Sequence, residues 1–308
     1  MAPIGLHPRP GGLSIADVDS TPDNTALLFP GQGSQTSGMR ELVERHEPEL
    51  ARIALAELDT DPFARADEGT RFAQPAIYCA SIASWTAGGR PLPSQLAGHS
   101  LGELSALAAA GALDPVDGLQ LAIIRGRLMG DAAEVSPGGM IALLGDGAEA
   151  REVAAATGLE IANDNGPTQI VAAGPVEALD YAAGAAKSRG VRSIRLPIRG
   201  AFHTGSMEPA VEPFRAALAE VSVDVQATPV FSSTEARPFE PDPDAIRDRL
   251  AAALTHPVRW RETLLELHRL GVRRFVEAGP GKALTGMVRR SFDDVEAVVL
   301  ETRETAHA

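Results

Sequence analysis

The sequence predicts an α/β protein built on a mainly parallel sheet, with a smaller subdomain inserted into it. Three observations carry this prediction. Short apolar runs of strand length alternate with helix-length segments along most of the chain. One strand–helix junction is the stretch LAGHSLGELSAL, 96–107, where Ser100 stands between Gly98 and Gly102. Between about 139 and 199 the rhythm changes to strand, helix, strand, strand, helix, strand, the ferredoxin-like pattern.

The elements follow in order. TALLF, 25–29, is a strand that leads into the loop PGQGSQTSG, and a helix follows from Met39 to about His46. QPAIYCASIASWTA, 74–87, has helical length and an apolar face. Gln95–Gly98 suits a buried parallel strand, Leu101–Ala110 a helix stopping near Gly111. Pro115, tolerated in a first turn, opens a helix running to about Ala133. GMIALL, AEAREVAAAT, LEIAN, QIVAAG, VEALDYAAGAAKSRG and VRSIRL then supply the inserted pattern. Beyond it come a helix from Ser206 to about Glu220, a strand near TPVFSS, helices at 244–253 and 259–270, the strand RRFVEA and a helix reopened by GPGKALTGMVRR. This reading gives a flexible tail at 1–24, a large α/β domain from 25–131 and 200–308, and a small subdomain at 132–199.

Composition narrows the class of protein. The 308 residues suffice for a sizeable core, and 44% hydrophobic with 22% charged residues is ordinary for a globular chain. Aromatics make up only 4%, so Ala, Leu, Val and Ile must fill the interior. A net charge of −13 argues against a nucleic-acid binder, which needs clustered Lys and Arg, though a local basic patch remains open. The single cysteine, Cys79, excludes an intramolecular disulfide and a Cys-rich metal site and fits a reducing cytoplasm. No apolar run approaches the roughly 20 residues that span a bilayer, and the N-terminal stretch lacks a signal pattern.

Gly98-His99-Ser100-Leu101-Gly102 fits G-x-S-x-G, a strand–turn–helix that lifts a serine hydroxyl above the sheet; a helix cap between glycines reads equally well. A nucleophilic serine needs a base. Of seven histidines, His7 and His307 lie near the termini, His46 and His268 sit in charged helical stretches, and His99 is too close in sequence to turn back. His203, in RGAFHTGSM, and His256, in THPVRW, remain, with His203 ahead for its small neighbours. An acyl-transfer oxyanion needs two donors. The amide of Leu101 supplies one, and the loop FPGQGSQ can bring a second. That loop fails as a dinucleotide fingerprint because Thr36 replaces the third glycine; GPGKAL fails as a phosphate loop because Val276 stands where glycine is required. Arg125 lies inside an apolar helical segment, as a structural ion pair or as a fork for a substrate carboxylate.

FPGQGSQ, GHSLGE, the arginine of IIRGRLM, NDNGPTQIVAAG, GAFHTGSM and EAGPGKALTG occur in the order and rough spacing of one family. From about Thr25 to about Leu300 the chain resembles the malonyl-CoA:acyl-carrier-protein transacylases, relatives of the acyltransferase domains of fatty-acid and polyketide synthases. The resemblance implies a hydrolase-like α/β domain with a ferredoxin-like insertion. It implies Ser100 as nucleophile, His203 as base, the amides of Gln32 and Leu101 as oxyanion hole, and Arg125 on the malonyl carboxylate. His99, Asn163 and Asn165 match motif positions near the cleft. It also implies that a backbone carbonyl before PVRW, 257–260, holds His203 in place of a carboxylate, with Ala253 where a glutamine is common. Ala201-Phe202-His203 resembles the malonyl-selective type, in which Phe202 crowds a branched acyl group.

The activity so implied is malonyl transfer from malonyl-CoA to the phosphopantetheine thiol of an acyl carrier protein, with no metal or other cofactor. Arg189, Arg192, Arg195, Arg199, Arg289 and Arg290 are candidates for docking an acidic carrier protein. The alternatives are an acyl hydrolase acting on carrier-protein thioesters, a polyketide acyltransferase with another extender unit, and a non-catalytic acyltransferase-like domain.

Overall fold

The structure, a computed structural model, describes residues 24–303. The tail expected at 1–24 lies outside the described residues except for Asn24, as do His7 and His307. The chain runs β1 (Thr25–Phe29), α1 (Met39–His46), α2 (Pro48–Leu58), α3 (Thr70–Ala87), β2 (Gln95–Gly98), α4 (Gly102–Ala109), α5 (Pro115–Val135), β3 (Gly139–Leu144), α6 (Gly147–Ala156), β4 (Glu160–Gly166), β5 (Gln169–Gly174), α7 (Val176–Ser188) and β6 (Arg192–Arg199). A 3-10 turn at Gly205–Met207 leads into α8 (Glu208–Ala219), then β7 (Val230–Ser232), β8 (Arg237–Pro238), α9 (Pro243–Ala252), α10 (Trp260–Arg269), β9 (Arg274–Glu277), α11 (Ala283–Ser291) and β10 (Glu296–Val299).

The first sheet has the order β10-β9-β1-β2-β7-β8 and is parallel except for β8, which pairs antiparallel with β7. Its central strands are apolar on both faces because both faces are covered. Leu27 and Phe29 of β1 join the larger core with α3, α4 and α5, while Ala26 and Leu28 join the smaller one with α10 and α11. The second sheet, β4-β5-β3-β6, is wholly antiparallel, in the ferredoxin-like order. Alternation along β3 divides its work. Ile141 and Leu143 pack on α6 and α7, while Met140 and Ala142 face the large core and the cleft.

Sequence periodicity missed α2, β8 and β10. Helix α2 hides its apolar stripe in two alanines and one leucine, Ala51, Ala54 and Leu50. The two strands are short edge pieces. Helix α3 begins at Thr70, four residues before the expected start, because Pro75 sits inside the helix rather than opening it.

The loop after β2 is where the sheet sets the site. Ser100 has a left-handed backbone, φ 54°, between β2 and α4. The neighbouring glycines are compulsory. A Cβ on Gly98 would lie 1.9 Å from the Gly102 carbonyl carbon, and one on Gly102 would lie 2.0 Å from the Phe29 carbonyl oxygen. These are backbone obstacles that no rotamer change relieves. The substitution Gly98→Ala is expected to cost about 3 kcal/mol or more of unfolding free energy in urea titration. Gly184, exposed on α7 with nothing near its Cβ direction, is the contrast: Gly184→Ala is expected to stabilise by roughly 0.5–1 kcal/mol.

Candidate active site

Ser100 lies on the floor of a cleft of about 1170 Å³ between the two sheets, roofed by residues of β3, β5 and β6. His203 reaches it from the loop after β6. Its ring Nε2 is 2.7 Å from Ser100 Oγ. On the far side Nδ1 lies 2.9 Å from the Ala253 carbonyl oxygen and 3.1 Å from that of His256. Two carbonyl acceptors oblige Nδ1 to carry the proton, which leaves the Nε2 lone pair to accept from the serine hydroxyl. The third member of this relay is therefore main chain. Ala253 in place of a longer residue does not remove the contact, because only its carbonyl is used. His256 also contributes through its carbonyl, while its ring turns outward and bonds to Ala252.

Arg125 projects from α5 into the same place. Its Nη2 donates to Ser100 Oγ at 3.1 Å and its Nη1 to Gln74 Oε1 at 2.8 Å. Gln74 in turn donates to Thr70 Oγ1. Both acceptors of Arg125 are neutral, so one edge of a buried guanidinium is fixed without a carboxylate partner. Of the two readings open in the sequence, the geometry disfavours a local ion pair: among the described residues no carboxylate oxygen lies within 4.0 Å of Arg125. The role of Gln74 was not read from the sequence, where it opens an apolar helical stretch.

His99 is engaged elsewhere than at the Ser100 hydroxyl. Its Nε2 donates to Asn165 Oδ1 at 2.9 Å, and its ring meets Trp260 edge to face at 5.3 Å between centroids. Asn165 belongs to β4, so this bond ties the elbow to the inserted subdomain. Asn163 lines the cleft and its strand segment bridges to Val258. Phe202 is buried and lines the cleft beside His203. Gln32 and Leu101 line it as well. Gly31 lets its loop come this close, since a Cβ there would be 2.5 Å from the His99 carbonyl oxygen. The GPGKAL segment forms the β9–α11 turn, with the Glu277 carboxylate accepting from the amides of Leu284 and Thr285. Among the described residues no group of three or more His, Cys, Asp or Glu is placed to hold a metal ion.

Burial dominates the electrostatics. It drives His203 from 6.5 down to about 3, with the charge of Arg125 adding to the effect, so the imidazole is neutral at physiological pH. It lowers Arg125 to about 10, still charged, with Glu103 opposing the shift. Glu103 itself, buried on α4, is pushed from 4.5 up to about 7, against the hydrogen bonds it accepts from Ser233.

The shifts of His203 and Glu103 act on stability with opposite sign. Between pH 6.5 and 4.5, unfolded His203 takes up a proton that the folded chain refuses, so acidification costs stability. Over the same window folded Glu103 holds a proton that the unfolded chain has released, so acidification favours folding. Removing one group unmasks the other. Relative to wild type, His203→Gln is expected to gain about 2 kcal/mol of unfolding free energy across that window, and Glu103→Gln to lose about as much. Urea denaturation at the two pH values checks this, and parallel behaviour of all three proteins would contradict both shifts.

Comparison with known proteins agrees with this geometry. Residues 26–303 match the model of the acyl transferase domain family. The chain is 36% identical over 294 residues to the malonyl CoA-acyl carrier protein transacylase of Escherichia coli K12, covering 89% of this chain and 95% of that one. It is 38% identical over 297 residues to the polyketide biosynthesis protein ThaF of Burkholderia thailandensis, covering 92% of this chain and only 25% of that larger one. The solved structure of the malonyl CoA-acyl carrier protein transacylase of Coxiella burnetii superposes with a TM-score of 0.83 at 32% identity, over 91% of this chain and 94% of that one. A serine elbow over a parallel sheet, a carbonyl-held histidine and a family match across nearly all the described residues lead to one statement: the chain belongs to the acyl transferase domain family.

Proposed function

We propose that this protein transfers a malonyl group from malonyl-CoA to the phosphopantetheine thiol of an acyl carrier protein, through a malonyl ester of Ser100. One observation carries the reading: Ser100 Oγ is within hydrogen-bond distance of both His203 Nε2 and Arg125 Nη2. The first contact makes a nucleophile. The second puts a buried cation beside the hydroxyl, within reach of the far end of a short acyl group, which a simple acyl group has no use for and a malonyl carboxylate does. The names of the E. coli and C. burnetii relatives support the same substrate pair.

As Ser100 Oγ attacks the thioester carbonyl, its proton passes to His203 Nε2. The amides of Gln32 and Leu101 receive the oxyanion; among the described residues neither is engaged in another hydrogen bond. The C–S bond breaks, and the departing CoA sulfur takes the proton from His203. In the second half the carrier thiol gives its proton to His203, its sulfur attacks the ester, and Ser100 Oγ leaves with that proton. No step needs a metal or other cofactor. Burial and the Arg125 charge keep the imidazolium short-lived, so the proton is handed on. A malonyl carboxylate on Arg125 offsets that charge and strengthens the base as substrate binds, which acetyl cannot do. Phe202 beside His203 limits room at the malonyl carbon, selecting against a methyl branch by roughly 1–3 kcal/mol. A cytoplasmic location belongs to this proposal; no helix among the described residues is long and apolar enough to cross a membrane.

Brief mixing with malonyl-CoA followed by intact mass is expected to show a malonyl adduct that Ser100→Ala abolishes. Arg125→Ala is expected to lower the preference for malonyl-CoA over acetyl-CoA by roughly a hundredfold, the value of a charge-assisted contact. Steady CoA release without an adduct would instead mark a hydrolase.

The carrier protein, taken as acidic, needs a basic landing surface. Arg195 and Arg199 lie at the cleft, and Arg290, bonded to Gln169, borders a shallow groove beside α11. Reversing Arg192 and Arg290 to Glu is expected to slow transfer to carrier protein about tenfold at low salt while leaving malonylation by malonyl-CoA nearly unchanged. Equal loss in both half-reactions would remove the docking role.

A further inference from the structure

Glu103 is a buried carboxylate that the mechanism above does not use. It sits in the first turn of α4, three residues after the nucleophile, and is 1% exposed. Its Oε1 accepts from the Ser233 amide at 2.6 Å and from the Ser233 hydroxyl at 3.0 Å. Ser233, fully buried in the loop after β7, faces the other way as an acceptor: the Ser100 amide donates to its Oγ at 3.3 Å. The three groups form one directed chain, from the Ser100 N–H to Ser233 Oγ and from the Ser233 O–H to Glu103.

The direction matters. A serine hydroxyl rotates freely unless its proton is claimed. Glu103 claims it, which turns the Ser233 lone pairs toward Ser100. The Ser100 amide belongs to a left-handed residue between strand and helix, φ 54°, where neither the sheet ladder nor α4 can accept from it. Its partner must therefore come from elsewhere, and an unpaired buried amide would weaken a backbone already held in a costly conformation. The contact crosses 133 residues of sequence, so it also fixes the height of the elbow relative to β7.

We infer that Glu103, acting through Ser233, is a positioning residue that holds the Ser100 backbone in the conformation presenting its hydroxyl to His203. The inference rests on Ser100 being the nucleophile, not on the identity of the acyl group. When ionised, Glu103 also offsets part of the buried charge of Arg125.

The test reads the reactivity of Ser100 in two ways. One is the single-turnover rate of malonylation, with the half-saturating malonyl-CoA concentration. The other is labelling by a fluorophosphonate, in which the Ser100 Oγ–P bond forms, fluoride leaves and the proton passes to His203. Ser233→Ala is expected to lower both rates 10- to 100-fold while the half-saturating concentration stays within threefold. Glu103→Gln keeps an oxygen facing Ser233 and is expected to stay within fivefold of wild type. Glu103→Leu is expected to fall as far as Ser233→Ala, and the double variant no further, because the two act in series. Wild-type rates in Ser233→Ala, additive losses in the double variant, or a change confined to half-saturation would overturn the inference. Should Glu103→Leu not fold, slow Ser233→Ala beside fast Glu103→Gln upholds it, and equal rates in those two overturn it. A wild-type protein labelled by the fluorophosphonate but not by malonyl-CoA would sink malonyl transfer and leave the positioning chain to be decided by the probe.

Discussion

The close approach of backbone at the β2–α4 junction is the constraint on which the site depends. Gly102 packs its Cα against the Phe29 carbonyl at the end of β1, and Gly98 packs against Gly102 itself. With no side chain at either position the turn closes into a left-handed residue, and only then does Ser100 stand clear of the sheet. The parallel pairing of β1 with β2 sets where this happens, because Phe29 pairs with Gly98 in the ladder. Gly31 extends the same squeeze to the loop after β1, which brings Gln32 into the lining of the cleft that holds Ser100.

Around this turn the protein keeps polar chemistry dry. His203, Arg125, Glu103 and His99 are all buried, and burial is the largest influence on each. The arrangement avoids tight ion pairs. Arg125 rests on an amide and a hydroxyl, His203 on two carbonyls, and Glu103 on a serine. Such partners satisfy hydrogen bonds without neutralising charge, so the guanidinium retains its attraction for an incoming anion. A carboxylate beside His203 would raise the proton affinity of its ring permanently, and it would also compete for Arg125. Main-chain carbonyls orient the ring without either effect.

The inserted subdomain is more than a roof. Strand β4 exchanges backbone bonds with the segment that follows α9: the Asp164 amide donates to the Val258 carbonyl, and the Val258 amide to the Ala162 carbonyl, each at 2.8 Å. That segment also carries the carbonyls of Ala253 and His256 that hold His203. Asn165, one residue further along β4, holds His99, the residue before Ser100. A single strand of the small sheet thus supports both the His203 ring and the elbow, which ties the placement of the subdomain to the geometry around Ser100.

Much of this was legible in the sequence. Strands with continuous apolar runs, the glycine-flanked Ser100 and the β-α-β-β-α-β interval are local patterns, and local patterns are what a chain displays along its length. His203 and Arg125 stood out as candidates by residue type and neighbours, but the residues alone left their alternatives open, and only the family resemblance gave them roles. Helix α2 and edge strands β8 and β10 escaped because alanine and two- to four-residue segments carry little periodic signal. What the tertiary structure alone decided are the pairings across long separations. Gln74 beneath Arg125, the carbonyls of Ala253 and His256 behind His203, and Ser233 between Glu103 and Ser100 are chosen by where chain segments meet. A carbonyl is present at every residue and a buried glutamine resembles any other, so only their placement makes them partners.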